Sequence, residues 1–223
     1  MKLTAMGQFF LILIASCTHA IICSSNGNYT DRFSLLEFKK MISHDPQQAL
    51  MSWNVSTHFC SWEGVRCSVK NPSRVSSLNL TNRGLLGQIS PSLGNLTFLR
   101  ILVLSTNSFS GVIPMSLGHL HHLQIVSLQN NTLQGRMPAF ANCSKLTELL
   151  LGNNKLTGQI PVDLPQRLAN LDLTSNNLTR TIPDSVANIT MLQMFHAMNN
   201  IEGEHPKWVC KLALAAGPSR KCQ

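Results

Sequence analysis

Three histidines within four positions, His119, His121 and His122, form the densest set of metal-ligating side chains in the chain. Imidazoles this close bind a metal only where the backbone aims them at one point. They fall just before the third turn of a repeat, where its outer loop is expected, so they read as a solvated surface and no metal site is assigned. The carboxylates Glu148, Asp163, Asp172 and Asp184 lie in different turns without a paired partner for acid–base work. No nucleophile elbow, phosphate loop or kinase signature is present. Cys143 reads as a small buried residue rather than a reactive thiol. No catalytic residue and no cofactor are therefore expected. The formal net charge is +8, yet only Lys39-Lys40 and Arg220-Lys221 are adjacent, and no basic stripe interleaved with aromatics speaks for nucleic acid. What remains is modification and binding. Asn28, Asn54, Asn79, Asn95, Asn130, Asn142, Asn177 and Asn188 each open an Asn-x-Ser/Thr sequon. Asn95, Asn142 and Asn188 share one phase, four residues before a repeat start, and would line glycans along one outer flank.

The elements that must position these groups come from a repeat running from Val75 to Trp208. Its first apolar position recurs at Val75, Leu99, Leu123, Leu146, Leu168 and Leu192, in steps of 24, 24, 23, 22 and 24. Within each turn two leucines sit two apart, as in Leu78 and Leu80 or Leu102 and Leu104, which gives a short strand with one buried face. One turn cannot bury that face alone, so successive turns stack with parallel strands into a curved solenoid. Asn107, Asn131, Asn154, Asn176 and Asn200 recur where the chain leaves the strand, and each amide can bridge two turns as a rung of a ladder. The first turn breaks that ladder with Arg83, and Arg180 and His205 interrupt the late turns. Recurrent glycine permits close backbone approach and recurrent proline fixes an extended segment.

Written out, the second turn is Leu99-Arg-Ile-Leu102-Val-Leu104-Ser-Thr-Asn107-Ser-Phe109-Ser-Gly111-Val-Ile113-Pro114. It resembles the plant-specific leucine-rich repeat of extracellular receptors. That resemblance implies an α/β fold, a right-handed leucine-rich-repeat solenoid with a parallel β spine of 24-residue repeats and a helical N-terminal cap.

Before the repeats, residues 1–20 read as a secretory signal peptide with its boundary between 20 and 25: Lys2, the apolar run Phe9 to Ala15, then Thr18-His19-Ala20. Residues 26–74 form the cap, the six repeats cover 75–208, and 209–223 are an irregular tail. Leu35, Phe38 and Ile42 at helical spacing, with Asp31 as N-cap, predict a helix over the first turn. The run from Trp53 through Cys60-Ser-Trp62-Glu-Gly64-Val65-Arg-Cys67 is similar to the N-terminal cap of plant leucine-rich-repeat receptor kinases and their soluble relatives. The resemblance implies a Cys60–Cys67 staple; Cys210 and Cys222 stay open as a second pair.

The residues expected to carry function are spine positions facing away from the leucines: Ile101, Val103, Ile125, Ser127, Glu148, Leu150, Asn170, Asp172, Met194 and His196. Ile101, Val103, Ile125 and Leu150 would form an exposed apolar patch, with the polar members setting specificity beside it. Six strands at ~4.8 Å span roughly 25 Å, enough for some seven or eight extended residues. The reading is a non-catalytic extracellular protein- or peptide-binding module of plant signalling or defence, a short secreted or truncated receptor ectodomain whose partner could be a receptor-kinase ectodomain. Two alternatives stay open: an inhibitor of cell-wall polygalacturonases, whose acidic cluster is represented here only by Glu148 and Asp172, and the N-terminal fragment of a receptor serine/threonine kinase. The chain is expected to be apoplastic, or at the plasma membrane if it belongs to a longer receptor.

Overall fold

Leucines spaced two apart are the innermost residues of the computed structural model, which describes residues 29–179 and 181–199. Leu78, Leu102, Val126, Leu149 and Leu171 stack in register across five turns, and each is at most 1 % exposed. Leu80, Leu104, Leu128, Leu151 and Leu173 form a second such column. Burying each side chain contributes about 1.5–3 kcal/mol, and almost all of it is realised against the neighbouring turn. The signal peptide, Asn28, Asn200, Cys210, Cys222 and the tail lie outside the described residues.

The described residues form thirteen short strands: β1 Ile42–His44, β2 Val65–Cys67, β3 Val75–Asn79, β4 Leu86–Gln88, β5 Ile101–Val103, β6 Ser108–Ser110, β7 Ile125–Ser127, β8 Gln134–Arg136, β9 Glu148–Leu150, β10 Lys155–Gly158, β11 Asn170–Asp172, β12 Asn177–Leu178 and β13 Met194–His196. Six of them, β3, β5, β7, β9, β11 and β13, pair in parallel as the spine, and β2 from the cap adds to β3 antiparallel. On the back, β1-β4-β6 and β12-β10-β8 form two smaller sheets, joined by an isolated bridge of Val112 opposite Gln134 and by Thr132 N donating to Phe109 O. Short 3-10 turns, such as Pro91–Asn95 and Met115–His119, close the loops between them.

The asparagine ladder is a continuous hydrogen-bond system. Asn154 Nδ2 donates to the carbonyls of Leu128, Leu151 and Gly152 at 3.0–3.3 Å, and its Oδ1 accepts from Leu133 N at 2.9 Å. Asn107, Asn131 and Asn176 repeat the pattern. In the sixth turn the bonds come one position before the expected Asn200, which lies outside the described residues: Asn199 donates to Leu173 O at 2.7 Å and accepts from Asn176 N and Leu178 N. The residues before Asn107, Asn131, Asn154 and Asn176, and Asn82 before Arg83 in the first turn, have a positive φ of 52–57°. That left-handed step costs Thr106 and Ser175 about 1–2 kcal/mol each, and the rung bonds that follow offset it.

The cap packs as aromatic layers. Trp53 stacks on Trp62 with centroids 5.4 Å apart, and Phe38 of the helix over 29–40 lies 5.9 Å from Phe109 of the second turn. Cys60 and Cys67 are bonded. Asp31 is not the N-cap: it lies inside the helix, fully buried, and its carboxylate binds Arg74 and the Val75 amide. A buried carboxylate needs a charged partner more than a helix end does, and Arg74 supplies it.

Candidate ligand-binding face

Parallel register sorts the ten expected spine residues into two rows. Ile101, Ile125, Glu148, Asn170 and Met194 stand opposite one another in the first, and Val103, Ser127, Leu150, Asp172 and His196 in the second. All ten therefore share one face. The patch differs from expectation in its exposure: Ile101, Val103, Ile125 and Leu150 are half-buried, and Ser127 between Val103 and Leu150 is only 6 % exposed. Neighbours at strand spacing shield one another, so the face offers shallow apolar relief rather than projecting side chains. Met194 at the far strand is exposed.

Polar members are already partly engaged. Asp172 Oδ1 accepts from Thr174 N at 3.0 Å and Thr174 Oγ1 at 2.7 Å. Asn79, in the same row four turns earlier, holds Thr81 in the same way at 3.1 and 2.8 Å. These bonds fix the orientation of both side chains and leave the second Asp172 oxygen and the Asn79 amide nitrogen for a ligand or, at Asn79, a glycan. Gly152 makes room for the arrangement, since a Cβ there would lie 2.9 Å from Asp172 Oδ2.

At the cap end the face opens into a groove of about 740 Å³, lined by Arg66, Ser77, Asn79, Arg83, Arg100 and Ile101 among others. Glu63 neutralises Arg83 in an ion pair of 2.6 Å, with both side chains 41 % exposed and thus well screened. Arg66 and Arg100 have no such partner among the described residues. Sequence reasoning missed both. Arg66 sits on β2, outside the repeat phase, opposite Ser77, and only the antiparallel pairing brings it here.

The other singled-out groups go elsewhere. His121 Nδ1 lies 3.0 Å from Asn142 O, and His122 Nδ1 lies 3.2 Å from Lys145 Nζ. Among the described residues no group of three or more His, Cys, Asp or Glu is placed to hold a metal. Cys143 is fully buried, with Sγ 3.5 Å from the carbonyls of Leu117 and Gly118; burial pushes its thiol up to about 11, far from a nucleophile's range. The sequons at Asn54, Asn79, Asn95, Asn130, Asn142, Asn177 and Asn188 are all exposed. Among the described residues no helix is long and apolar enough to cross a membrane.

Comparison with known proteins agrees with the repeat fold. A leucine-rich-repeat N-terminal domain model matches residues 28–68, and a leucine-rich-repeat model matches 98–120, 145–166 and 167–189. The LRR receptor-like serine/threonine-protein kinase EFR of Arabidopsis thaliana is 52 % identical over 83 residues, 37 % of this chain and 8 % of that protein. The chain spans about a tenth of the length of the first curated relatives it matches. The BIR2 ectodomain from Arabidopsis thaliana superposes with a TM-score of 0.66 at 33 % identity, covering 78 % of this chain and 93 % of that one. PEPR1 in its complex with AtPEP1 gives 0.65 at 29 % identity, covering 80 % and 29 %.

Proposed function

Because the chain belongs to the plant leucine-rich-repeat receptor family, with the fold of its ectodomains, we propose that it is a non-catalytic extracellular binding module whose spine face recognises a protein or peptide of receptor signalling or defence. One observation carries the reading: Ile101 and Ile125, adjacent in one row, and Val103 and Leu150, on either side of Ser127 in the other, make a largely apolar patch across β5, β7 and β9, flanked by Glu148, Asn170 and Asp172. An apolar centre with a polar margin is the composition of a protein contact, since the centre gains from desolvation and the margin fixes register. The rows also suit an extended peptide, whose alternate side chains would meet this one face. A receptor ectodomain is the other partner of this class, and the extracellular side of the plasma membrane or the apoplast is where both would be met.

The test is binding by the secreted full chain to an array of purified plant receptor ectodomains and secreted peptides. Val103→Glu and Ile125→Glu should each abolish a positive interaction while thermal unfolding stays within a few degrees of the parent, because a charge there meets desolvation only when a partner covers it. Removal of the Asn188 sequon on the flank should leave affinity unchanged. Retained binding by both Glu variants would move the site off this face.

A further inference from the structure

Strand register carries the first row of the spine face into the cap. Arg66 on β2 stands opposite Ser77, Ser77 opposite Ile101, Ile101 opposite Ile125, and Ile125 opposite Glu148. Opposed residues of a sheet point to the same side, and the next opposed pair, Val65 and Leu78, is buried, so Arg66 belongs to the spine face. The row therefore begins with a cation, crosses two isoleucines and ends on a carboxylate. In the second row Asp172 lies one strand beyond Glu148.

The two ends differ in charge and in shape. At the cap end Arg100 joins Arg66 along the groove of about 740 Å³, and none of its lining residues is a carboxylate. Glu63 pairs with Arg83, the third arginine there, whereas Arg66 and Arg100 are exposed and in no ion pair among the described residues. Asn79 adds a donor to the lining, because Thr81 occupies its Oδ1 and leaves the amide nitrogen. Two guanidinium forks and an amide donor are the chemistry that receives a carboxylate. At the other end Glu148 and Asp172 are half-buried and likewise in no ion pair among the described residues. Arg66 and Glu148 stand four strand steps apart, roughly 19 Å, more than twice the Debye length of about 8 Å, so neither neutralises the other.

We propose that the spine face recognises an extended peptide of split charge, with a carboxylate seated at Arg66 and Arg100, apolar side chains over Ile101 and Ile125, and a cationic side chain at Glu148 and Asp172. This rests on the reading of the spine face as a peptide-binding surface and adds which peptide it takes. The span of roughly 19 Å corresponds to about six residues at ~3.3 Å each, so acid and base stand five or six positions apart. The apolar middle supplies affinity, and the charges choose the peptide and the end that lies toward the cap. Turned round, the same peptide sets its base against Arg66 and its acid against Glu148.

The secreted full chain would be panned against random peptides long enough to cross the face, one library tethered through the C-terminus and a second with that terminus free. Enriched peptides should carry Asp or Glu about five or six positions from Lys or Arg, with apolar residues between. Enrichment that needs the free terminus would identify the carboxylate as the C-terminal one. Arg66→Gln with Arg100→Gln should weaken an enriched peptide about tenfold or more, and its analogue with an amide for the acid less than about twofold. Glu148→Gln should show the same coupling to the peptide's base. The charge-matched pair Arg136→Gln with Lys155→Gln, on the back sheet, should leave affinity unchanged. Enrichment without the charge separation, or equal losses for acid and amide peptides, would overturn the proposal. So would a glycan found on Asn79 in the secreted protein, since it would fill the groove. Val103→Glu should lose every enriched peptide: peptides lost in that variant yet lacking the charge pattern would keep the spine face as the site and sink the split-charge reading alone. If no peptide is enriched, peptide recognition fails, and a receptor ectodomain is left to the binding array.

Discussion

Asp31 and Arg74, 43 residues apart in the chain, meet in a two-pronged ion pair at 3.1 Å for each prong, and Asp31 Oδ2 also accepts the Val75 amide at 2.7 Å. Asp31 belongs to the cap helix and Val75 opens the first repeat strand, so one fully buried carboxylate ties the cap to the solenoid. Arg74 completes the joint by donating to Thr97 Oγ1 at 2.7 Å and lying over Phe98.

Removing one partner leaves the other's polar groups without compensation. Asp31→Ala should cost about 3–5 kcal/mol in urea unfolding, because the Val75 amide and Arg74 are both orphaned. Arg74→Ala should cost a comparable amount by stranding the buried carboxylate, and the double variant much less than the sum. Additive losses would show that the pair is not coupled.

The ladder separates two asparagines only 23 residues apart in chain position. Asn154→Ala removes three donated bonds and one accepted bond from a residue 8 % exposed, while Asn177 is exposed. In unglycosylated protein Asn154→Ala should be less stable than Asn177→Ala by ~1–3 kcal/mol. Equal midpoints in denaturant would contradict the ladder's role.

The period was readable because stacking demands the same residue types at the same phase in every turn, and the six spine strands fall where Leu78 and its equivalents place them. Phase counting failed where the loop changed length. Between Leu192 and Asn199 the chain is one residue shorter than between Leu168 and Asn176, so a fixed count lands on Asn200 whereas the bond to Leu173 O is made by Asn199. Partnerships outside the period left no trace: Asp31 looked like a helix cap, and Arg66 had no phase. Lys145 and Arg167 looked scattered because adjacency was sought along the chain, whereas the solenoid makes neighbours of residues 22 apart. The half-burial of Ile101 and Leu150 is likewise a product of stacking, since alternation reports direction and not the shielding by adjacent strands.

Gly87 shows how one repeat position acquires a second duty. A Cβ built there would lie 2.2 Å from Met41 O, a backbone atom of the segment that leads into β1, whereas at Gly111 it would meet only the Gln88 side chain at 3.3 Å. Gly111→Ala should cost about 1–2 kcal/mol for its left-handed backbone, φ 76°. Gly87→Ala should cost more and free the Gln88 amide, now bonded to Met41 O at 3.1 Å, to exchange with solvent. Hydrogen exchange at Gln88 that was unchanged in Gly87→Ala would show that β1 tolerates the clash.

His122 offers a titration that reports on the cationic flank. Burial first, then Lys145, Arg100 and His121, hold its pKa below the usual 6.5, so the folded protein takes up this proton less readily than the unfolded chain. The associated stability is fully present above pH 6.5 and declines as pH falls through 6.5 toward the lower folded value, because the unfolded state then binds more protons. Proton NMR of the imidazole should find a midpoint under 6.5. Lys145→Gln should raise it, since one repulsive charge is gone, while Arg136→Gln on the back sheet should not. A midpoint at or above 6.5 in the free protein, or one indifferent to Lys145, would mean that His122 and its neighbours do not share one electrostatic environment.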